Sequence, residues 1–160
     1  MIEVRARYSE GPIFLGEVRY SIKDLAFDHS LNVTQSTEFP HMMRQSLTFD
    51  TLAIDCDLRT TRALYAWGYT PRAGWKKGTV GLPSIVRSGQ VLVEIDEPVQ
   101  KGEVIQIADR ESTVMKFDRS SGWFECSAGL ADQGVEIAAN TIIGLKGDEI
   151  VALWLRPRFV

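Results

Sequence analysis

Apolar and polar residues alternate along much of this chain, which is the pattern of half-buried β-strands. In the first such stretch, Ile2, Val4 and Ala6 alternate with charged residues, so a strand is predicted over residues 2–8. A longer stretch, residues 47–58, alternates in the same way and is predicted to form one long strand. This two-residue period places one set of side chains in the core and the other in solvent.

Turn sequences separate the apolar runs at roughly ten-residue spacing, most regularly after residue 90. Residues 60–70 are rich in β-branched and aromatic side chains and are predicted to form another strand. Many short strands between turns are typical of an antiparallel β-sandwich or barrel, so we predict a mainly β fold with little helix. The chain shows no repeat and no linker, and residues 1–160 are therefore predicted to form a single β-rich domain.

The composition is that of an ordinary globular protein. Apolar residues make up 44% and charged residues 24% of the chain, which favours a folded state over a disordered one. The apolar runs are far shorter than the roughly 20 residues that span a bilayer, and the N-terminal residues lack the features of a secretory signal. We therefore expect a soluble, cytoplasmic protein with no membrane partner. In that compartment Cys56 and Cys126 are expected to be two separate reduced thiols.

One segment departs strongly from this average. Residues 58–93 contain six basic residues and no Asp or Glu, although the whole chain has a net charge of −3. Aromatic rings beside Lys and Arg are typical of a surface that binds an anionic group. We therefore predict a binding surface formed by six aromatic and basic residues of this segment: Trp67, Tyr69, Arg72, Trp75, Lys76 and Lys77.

The same residues also have a purely structural interpretation. Large aromatic side chains are mostly core residues, and Tyr65 and Trp67 fit one face of a strand that packs on the core. Trp75 stands between Gly74 and Lys76 in a polar loop, so it is expected to be the more exposed ring. No RNA-recognition, zinc-finger or oligonucleotide-barrel motif is present, so nucleic acid is not the partner that we expect.

Asp55 and Asp57 form a second candidate cluster. Residues i and i+2 of a strand project from the same face about 7 Å apart, which suits a divalent cation or an acid–base pair if a third group joins them. The alternative is an exposed strand face, on which they pair with Arg59 or with an arginine of a neighbouring strand. The sequence shows no third ligand, so no metal site is predicted.

His29 and His41 are the only two histidines, and they lie twelve positions apart in turn-like surroundings. Metal-binding histidines on a helix are about four positions apart, so each is interpreted as a polar loop residue. Nucleophile-elbow and phosphate-loop motifs are also missing from the sequence. We therefore predict no catalytic residues and no cofactor.

Three functions remain open. The first, which we favour, is a non-enzymatic protein of inhibitor or immunity type that binds another protein through residues 58–93; it requires a flat or convex patch around Trp75. The second is a β domain that binds a small ligand, a sugar or an anionic metabolite, in a concave site with aromatic walls and a cationic group or two. The third is a hydrolase that uses Asp55 and Asp57 with a histidine in a cleft. The oligomeric state is not predicted, although β-rich domains with open strand edges often pair them to form a homodimer.

Overall fold

The computed structural model describes residues 2–30, 38–40, 43–97 and 104–160. Sixteen strands lie in these ranges, and a 3₁₀ turn at Arg72–Gly74 is the helical element that matters for the site. The strands, in chain order, are β1 (Val4–Ser9), β2 (Val18–Ser21), β3 (Ala26–His29), β4 (Arg44–Phe49), β5 (Leu52–Asp57), β6 (Ala63–Tyr69), β7 (Lys76–Lys77), β8 (Val86–Ser88), β9 (Gln90–Ile95), β10 (Val104–Ala108), β11 (Val114–Phe117), β12 (Phe124–Ser127), β13 (Gln133–Ala138), β14 (Thr141–Lys146), β15 (Glu149–Leu155) and β16 (Arg158–Phe159). The predicted mainly β fold is confirmed.

The strands form three sheets. β1 and β9 pair as an antiparallel ribbon. Sheet I has the order β10-β4-β5-β6-β3-β2-β16, and sheet II has the order β7-β11-β12-β15-β14-β13-β8. The inner strands of both sheets are antiparallel, whereas each of the four edge strands pairs in parallel with its neighbour. The turn pattern of the sequence did not indicate these parallel edges, because their partners are distant in the chain.

Both large sheets and the ribbon contribute to one buried apolar cluster. Strand alternation decides which side chains take part: Leu52, Ile54 and Cys56 join the cluster from β5, and Leu153 and Leu155 join it from β15. Burial of an apolar side chain of this size contributes roughly 1.5–3 kcal/mol. Alternate positions of these strands therefore join the sheets through one shared core.

The prediction of one long strand over residues 47–58 was wrong. The chain reverses at Asp50, and β4 and β5 form a hairpin in which Phe49 pairs with Leu52. Asp50 has a φ of 54°, a left-handed conformation that Asp tolerates better than most residues. Alternation continues through the turn, so the pattern alone did not show the reversal.

A smaller apolar cluster lies on the outer face of sheet II. Ile142, Ala152 and Trp154 point to this face, because they alternate with residues of the main core. Val80, from the loop that follows β7, packs with them. The basic segment is therefore anchored to sheet II from the outside.

Cys56 and Cys126 are both buried and free, as two separate thiols. Burial raises the pKa of each thiol, and nearby carboxylates raise it further. Both groups are therefore held in the protonated form, which is unreactive.

None of the helical turns in the described ranges has the length or apolar character of a transmembrane helix. The assignment of residues 1–160 to one domain stays a prediction.

Candidate binding groove

The basic part of the predicted surface begins at a rigid turn. Pro71 has a φ of −62° and opens the 3₁₀ turn, in which the amide of Gly74 donates to the carbonyl of Pro71 at 3.1 Å. The amide of Trp75 then donates to the carbonyl of Arg72 at 3.0 Å, and the chain leaves the turn in an extended conformation. Because proline fixes φ in advance, the turn presents the following residues in one direction.

After this turn, β7 adds to the edge of sheet II. Lys76 lies opposite Lys116 of β11, and Lys77 lies opposite Phe117. The amide of Gly78 continues the ladder by donating to the carbonyl of Phe117 at 3.2 Å. The two lysines are therefore held on a strand, and both side chains are exposed.

Asp118 fixes the end of this strand. Its carboxylate accepts hydrogen bonds from the backbone amides of Val80 at 3.1 Å, Ser120 at 2.9 Å and Ser121 at 3.3 Å. These bonds lower the pKa of the Asp118 carboxyl, with the Val80 amide as the largest cause. The carboxylate is thus occupied by backbone donors, and no ion pair joins it to a cation in the described ranges.

Trp75 forms the floor of the site. It is half-buried, and its ring packs against Tyr20 and Phe27 of sheet I and against Phe117 and Phe124 of sheet II, with centroid distances of 4.8–5.7 Å. The expectation that Trp75 would be the more exposed ring was wrong. Its niche is built by four aromatic side chains that come from distant parts of the sequence.

Above this floor lies a groove of about 420 Å³. We call it the basic groove, and its lining residues are Arg72, Ala73, Trp75, Lys76, Lys77, Phe117, Arg119 and Phe159. Four of these side chains are cationic, three are aromatic and none is acidic. Four like charges around one depression, with no acidic side chain among the described lining residues, create a positive potential that attracts an anionic group.

The groove lies where the edges of the two large sheets meet. Lys76 and Lys77 belong to β7, the edge strand of sheet II, and Phe159 belongs to β16, the edge strand of sheet I. Three lining residues, Arg119, Phe117 and Phe159, were not predicted from the sequence. No local signal identifies them, because strand pairing alone brings them to the basic segment.

The structure does not bring all six predicted residues together. Arg72, Trp75, Lys76 and Lys77 line the basic groove, whereas Tyr69 lines a neighbouring cavity. Trp67 lines neither of these depressions, and its ring is 41% exposed on sheet I. The predicted surface is therefore divided into a groove and two separate exposed rings.

Gly68 explains how the two exposed rings are presented. It has a φ of 142°, and a Cβ at this position would lie 2.4 Å from the carbonyl oxygen of Thr51. The close approach lets the hydroxyl of Thr51 donate to the carbonyl of Tyr69. Only glycine fits there, so Trp67 and Tyr69 keep their places on β6.

Asp55 is not on an exposed face, contrary to expectation. It is 6% exposed and accepts hydrogen bonds at 2.7 Å from the hydroxyl of Ser46 and from the indole N–H of Trp67. Arg44, on the neighbouring strand, lies 3.9 Å from its second oxygen, which matches the predicted cross-strand pairing.

Asp57 is also buried. Its carboxylate accepts hydrogen bonds from the amide of Thr60 at 2.9 Å and from the hydroxyl of Thr60 at 2.7 Å. Arg59 lies 3.5 Å away, as the sequence led us to expect. In the part of the chain that the structure describes, no group of three His, Cys, Asp or Glu side chains has the arrangement of a metal site.

His29 is a buried strand residue of β3 and not the polar loop residue that was predicted. Its imidazole stacks on Tyr65 with a centroid distance of 5.6 Å, and burial lowers its pKa to about 4. Tyr65 in turn accepts a hydrogen bond from Arg44 at 2.5 Å. No hydrogen bond among the described residues joins His29 to Asp55 or Asp57. His41 lies outside the described residues.

Comparison of the chain with protein-family models, with curated proteins and with solved structures found no match.

Proposed function

We propose that this chain is a soluble, cytoplasmic, non-enzymatic protein that binds an acidic surface of another protein through the basic groove, as an inhibitor or immunity protein does. The composition of the groove carries this proposal: Arg72, Lys76, Lys77 and Arg119 surround it, and none of the described lining residues has a carboxylate. A partner that presents Asp or Glu side chains supplies the missing counter-charges. Such complementarity raises the association rate and selects the partner by charge.

The packing of Trp75 favours a protein partner over a ligand that stacks. Its ring is surrounded by Tyr20, Phe27, Phe117 and Phe124, and it lies nearly parallel to Phe27 with an interplanar angle of 18°. A nucleobase or sugar needs a free aromatic face, as in single-strand binding proteins. The groove therefore works through charge and shape, and an apolar side chain of the partner completes its aromatic floor.

The small-ligand function is the second candidate, because the groove is concave. A volume of about 420 Å³ lies within the range of small-molecule sites. The favoured hypothesis required a flat or convex patch. The concave shape of the groove therefore favours an anionic metabolite over a protein partner in this one respect. The hydrolase hypothesis gains no such support, since Asp55 and Asp57 are buried and hydrogen-bonded within the fold.

Fluorescence anisotropy with a labelled peptide of alternating Glu and Phe tests the proposal, with a Lys and Phe peptide as the charge control. We expect the acidic peptide to bind and the basic peptide not to bind. The variant Lys76→Glu/Lys77→Glu should weaken binding by at least about tenfold, or about 1.4 kcal/mol, because like charges then face the peptide. Added salt should weaken binding to the wild type, since the contacts are exposed.

Lys146→Glu is the matched control, because Lys146 is exposed at the hairpin end of β14. That hairpin lies at the opposite end of sheet II from the pair Phe117 and Phe124. Equal affinities for the wild type and the double variant would refute the groove as the binding site. If citrate saturates the groove while the acidic peptide fails to bind, the small-ligand function replaces the protein partner.

A further inference from the structure

A second cavity of about 420 Å³ borders the same 3₁₀ turn as the basic groove and is lined by Pro71 and Gly74 of that turn. It opens between the hairpin turn of β4 and β5 and the start of β11. We call it the mixed-charge cavity, and its lining residues are Asp50, Thr51, Tyr69, Thr70, Pro71, Gly74, Arg110, Thr113 and Met115. None of its described lining residues also lines the basic groove.

The charges of this cavity differ from those of the groove. Among its described lining residues, two carry charge: Asp50 has a carboxylate and Arg110 has a guanidinium. Within the described ranges neither side chain has a hydrogen-bond or ion-pair partner, and the two do not pair with each other. Each charge is therefore available to a ligand, and the charges of Asp50 and Arg110 balance each other.

Backbone contacts hold Asp50 in place. Its amide donates to the carbonyl of Ala108 at 2.9 Å, which ties the hairpin turn to the end of β10. Its φ of 54° places the residue at the reversal between two buried strands. The carboxylate is thus presented from a fixed turn.

A second turn holds Arg110. The carboxylate of Asp109 accepts the amide of Ser112 at 2.8 Å, and the carbonyl of Asp109 accepts the hydroxyl of Thr113 at 2.6 Å. These two bonds close the turn around Arg110. The two opposite charges therefore come from two separate turns, each held by its own hydrogen bonds.

The remaining walls are apolar and hydroxylic. Tyr69 is 54% exposed, and Pro71 and Met115 add apolar surface. Thr70 is buried, and its hydroxyl has no hydrogen-bond partner among the described residues. An aromatic and apolar wall beside two opposite charges is suited to a ligand that carries both charges and an apolar group.

We propose that the mixed-charge cavity binds a free α-amino acid with an apolar or aromatic side chain. The carboxylate of the amino acid pairs with Arg110, whose planar guanidinium can donate two parallel hydrogen bonds to it. Its ammonium group pairs with Asp50, and its side chain packs on Tyr69 and Met115. A simple anion is better accommodated in the basic groove, and a simple cation leaves Arg110 without a partner.

Isothermal titration calorimetry with L-phenylalanine and L-methionine tests the site. We expect saturable binding to the wild type, with a dissociation constant of about 1 mM or tighter. N-acetyl-L-phenylalanine lacks the ammonium charge and L-phenylalaninamide lacks the carboxylate, so each should bind at least about tenfold more weakly. The proposal is overturned if no free amino acid binds, or if both blocked derivatives bind as well as L-phenylalanine.

Two variants remove one charge each. Asp50→Asn keeps a residue that tolerates positive φ, and Arg110→Gln keeps a polar side chain on an exposed turn. Each should weaken binding of L-phenylalanine by at least about tenfold. Glu111→Gln, an exposed neighbour outside the cavity lining, should bind as the wild type does. Unchanged binding in both charge variants would place the amino acid elsewhere.

The basic groove provides a further control. Lys76→Glu/Lys77→Glu should leave the binding of L-phenylalanine unchanged, because no described side chain lines both sites. Amide chemical shifts in a ¹⁵N–¹H spectrum should change around Asp50, Tyr69 and Arg110 and not around Lys76. Failure of the peptide experiment and failure of the amino-acid experiment are therefore separate results.

Discussion

The indole N–H of Trp67 donates a hydrogen bond to the buried carboxylate of Asp55, with 2.7 Å between Nε1 and Oδ1. The ring is nevertheless 41% exposed, whereas Asp55 is 6% exposed. A surface side chain thus supplies a donor to a buried charge. The bond fixes the orientation of the ring, and it makes Trp67 a structural residue as well as a candidate for binding.

Replacement of Trp67 by phenylalanine should therefore destabilise the fold. Phenylalanine keeps the aromatic packing but removes one of the two donors to Asp55 Oδ1, and a hydrogen bond to a charged group contributes about 1.5–3 kcal/mol. The free energy of unfolding in urea measures this loss. Tyr69→Phe is the matched control, because no hydrogen bond of the Tyr69 hydroxyl exists within the described ranges. It should change stability by less than about 0.5 kcal/mol, and equal losses for both variants would contradict the assignment.

Acrylamide quenching of tryptophan fluorescence should follow the exposure of each ring. Trp67 is the most exposed of the four tryptophans, Trp75 and Trp123 are half-buried, and Trp154 is buried. Trp67→Phe should therefore remove a larger quenchable fraction than Trp75→Phe. If Trp75→Phe removes the larger fraction instead, the floor of the basic groove is open to solvent and its aromatic faces are free to stack on a ligand.

Asp118 should make the stability of the protein depend on pH at the acidic end. Hydrogen bonds from the amides of Val80, Ser120 and Ser121 lower the pKa of its carboxyl. A lowered pKa stabilises the folded state above the ordinary carboxyl pKa of about 3.9, and that stability is lost as the pH falls through the folded value. Asp118→Asn should therefore unfold at a lower urea concentration than the wild type at neutral pH, and the gap should narrow as the pH falls below about 4. The control Glu111→Gln removes an exposed carboxylate and should unfold at the same urea concentration as the wild type. If Asp118→Asn stays less stable than the wild type by the same amount at low pH, the charge of Asp118 is not the source of the difference.

His29 should stay neutral far below the usual titration range of histidine. Burial lowers its pKa to about 4, whereas in the unfolded chain the value is about 6.5. Below a pH of about 6.5 the imidazole is protonated in the unfolded chain but stays neutral in the folded protein. The free energy of unfolding therefore falls by up to about 1.4 kcal/mol for each pH unit, down to a pH of about 4. In a His41→Gln background, the imidazole resonances of His29 report this titration directly. The same titration in urea gives the reference curve for the unfolded chain. A titration midpoint near pH 6.5 for His29 in the folded protein would contradict its burial.

Much of the β structure was predictable from local pattern, because side-chain alternation is a property of neighbouring residues. The strand predicted over residues 2–8 corresponds to β1, and the strand predicted within 60–70 corresponds to β6. The basic character of residues 58–93 was equally local, and four of its predicted residues do line one groove. Composition and the two-residue alternation of a strand can both be seen in the sequence without knowing which strands pair with each other.

The tertiary structure alone determined which charged and aromatic side chains lie close together in space. Arg119, Phe117 and Phe159 complete the basic groove because β7 pairs with β11 and β16 pairs with β2, and strand pairing between distant residues leaves no local mark. The same applies to Trp75, whose four aromatic neighbours come from both large sheets. Asp55 was expected on an exposed strand face, yet it is buried, since a polar residue enters the interior when the fold supplies donors for it. Local sequence determined which residues alternate and which carry charge, whereas long-range pairing of sheet edges determined which of them meet.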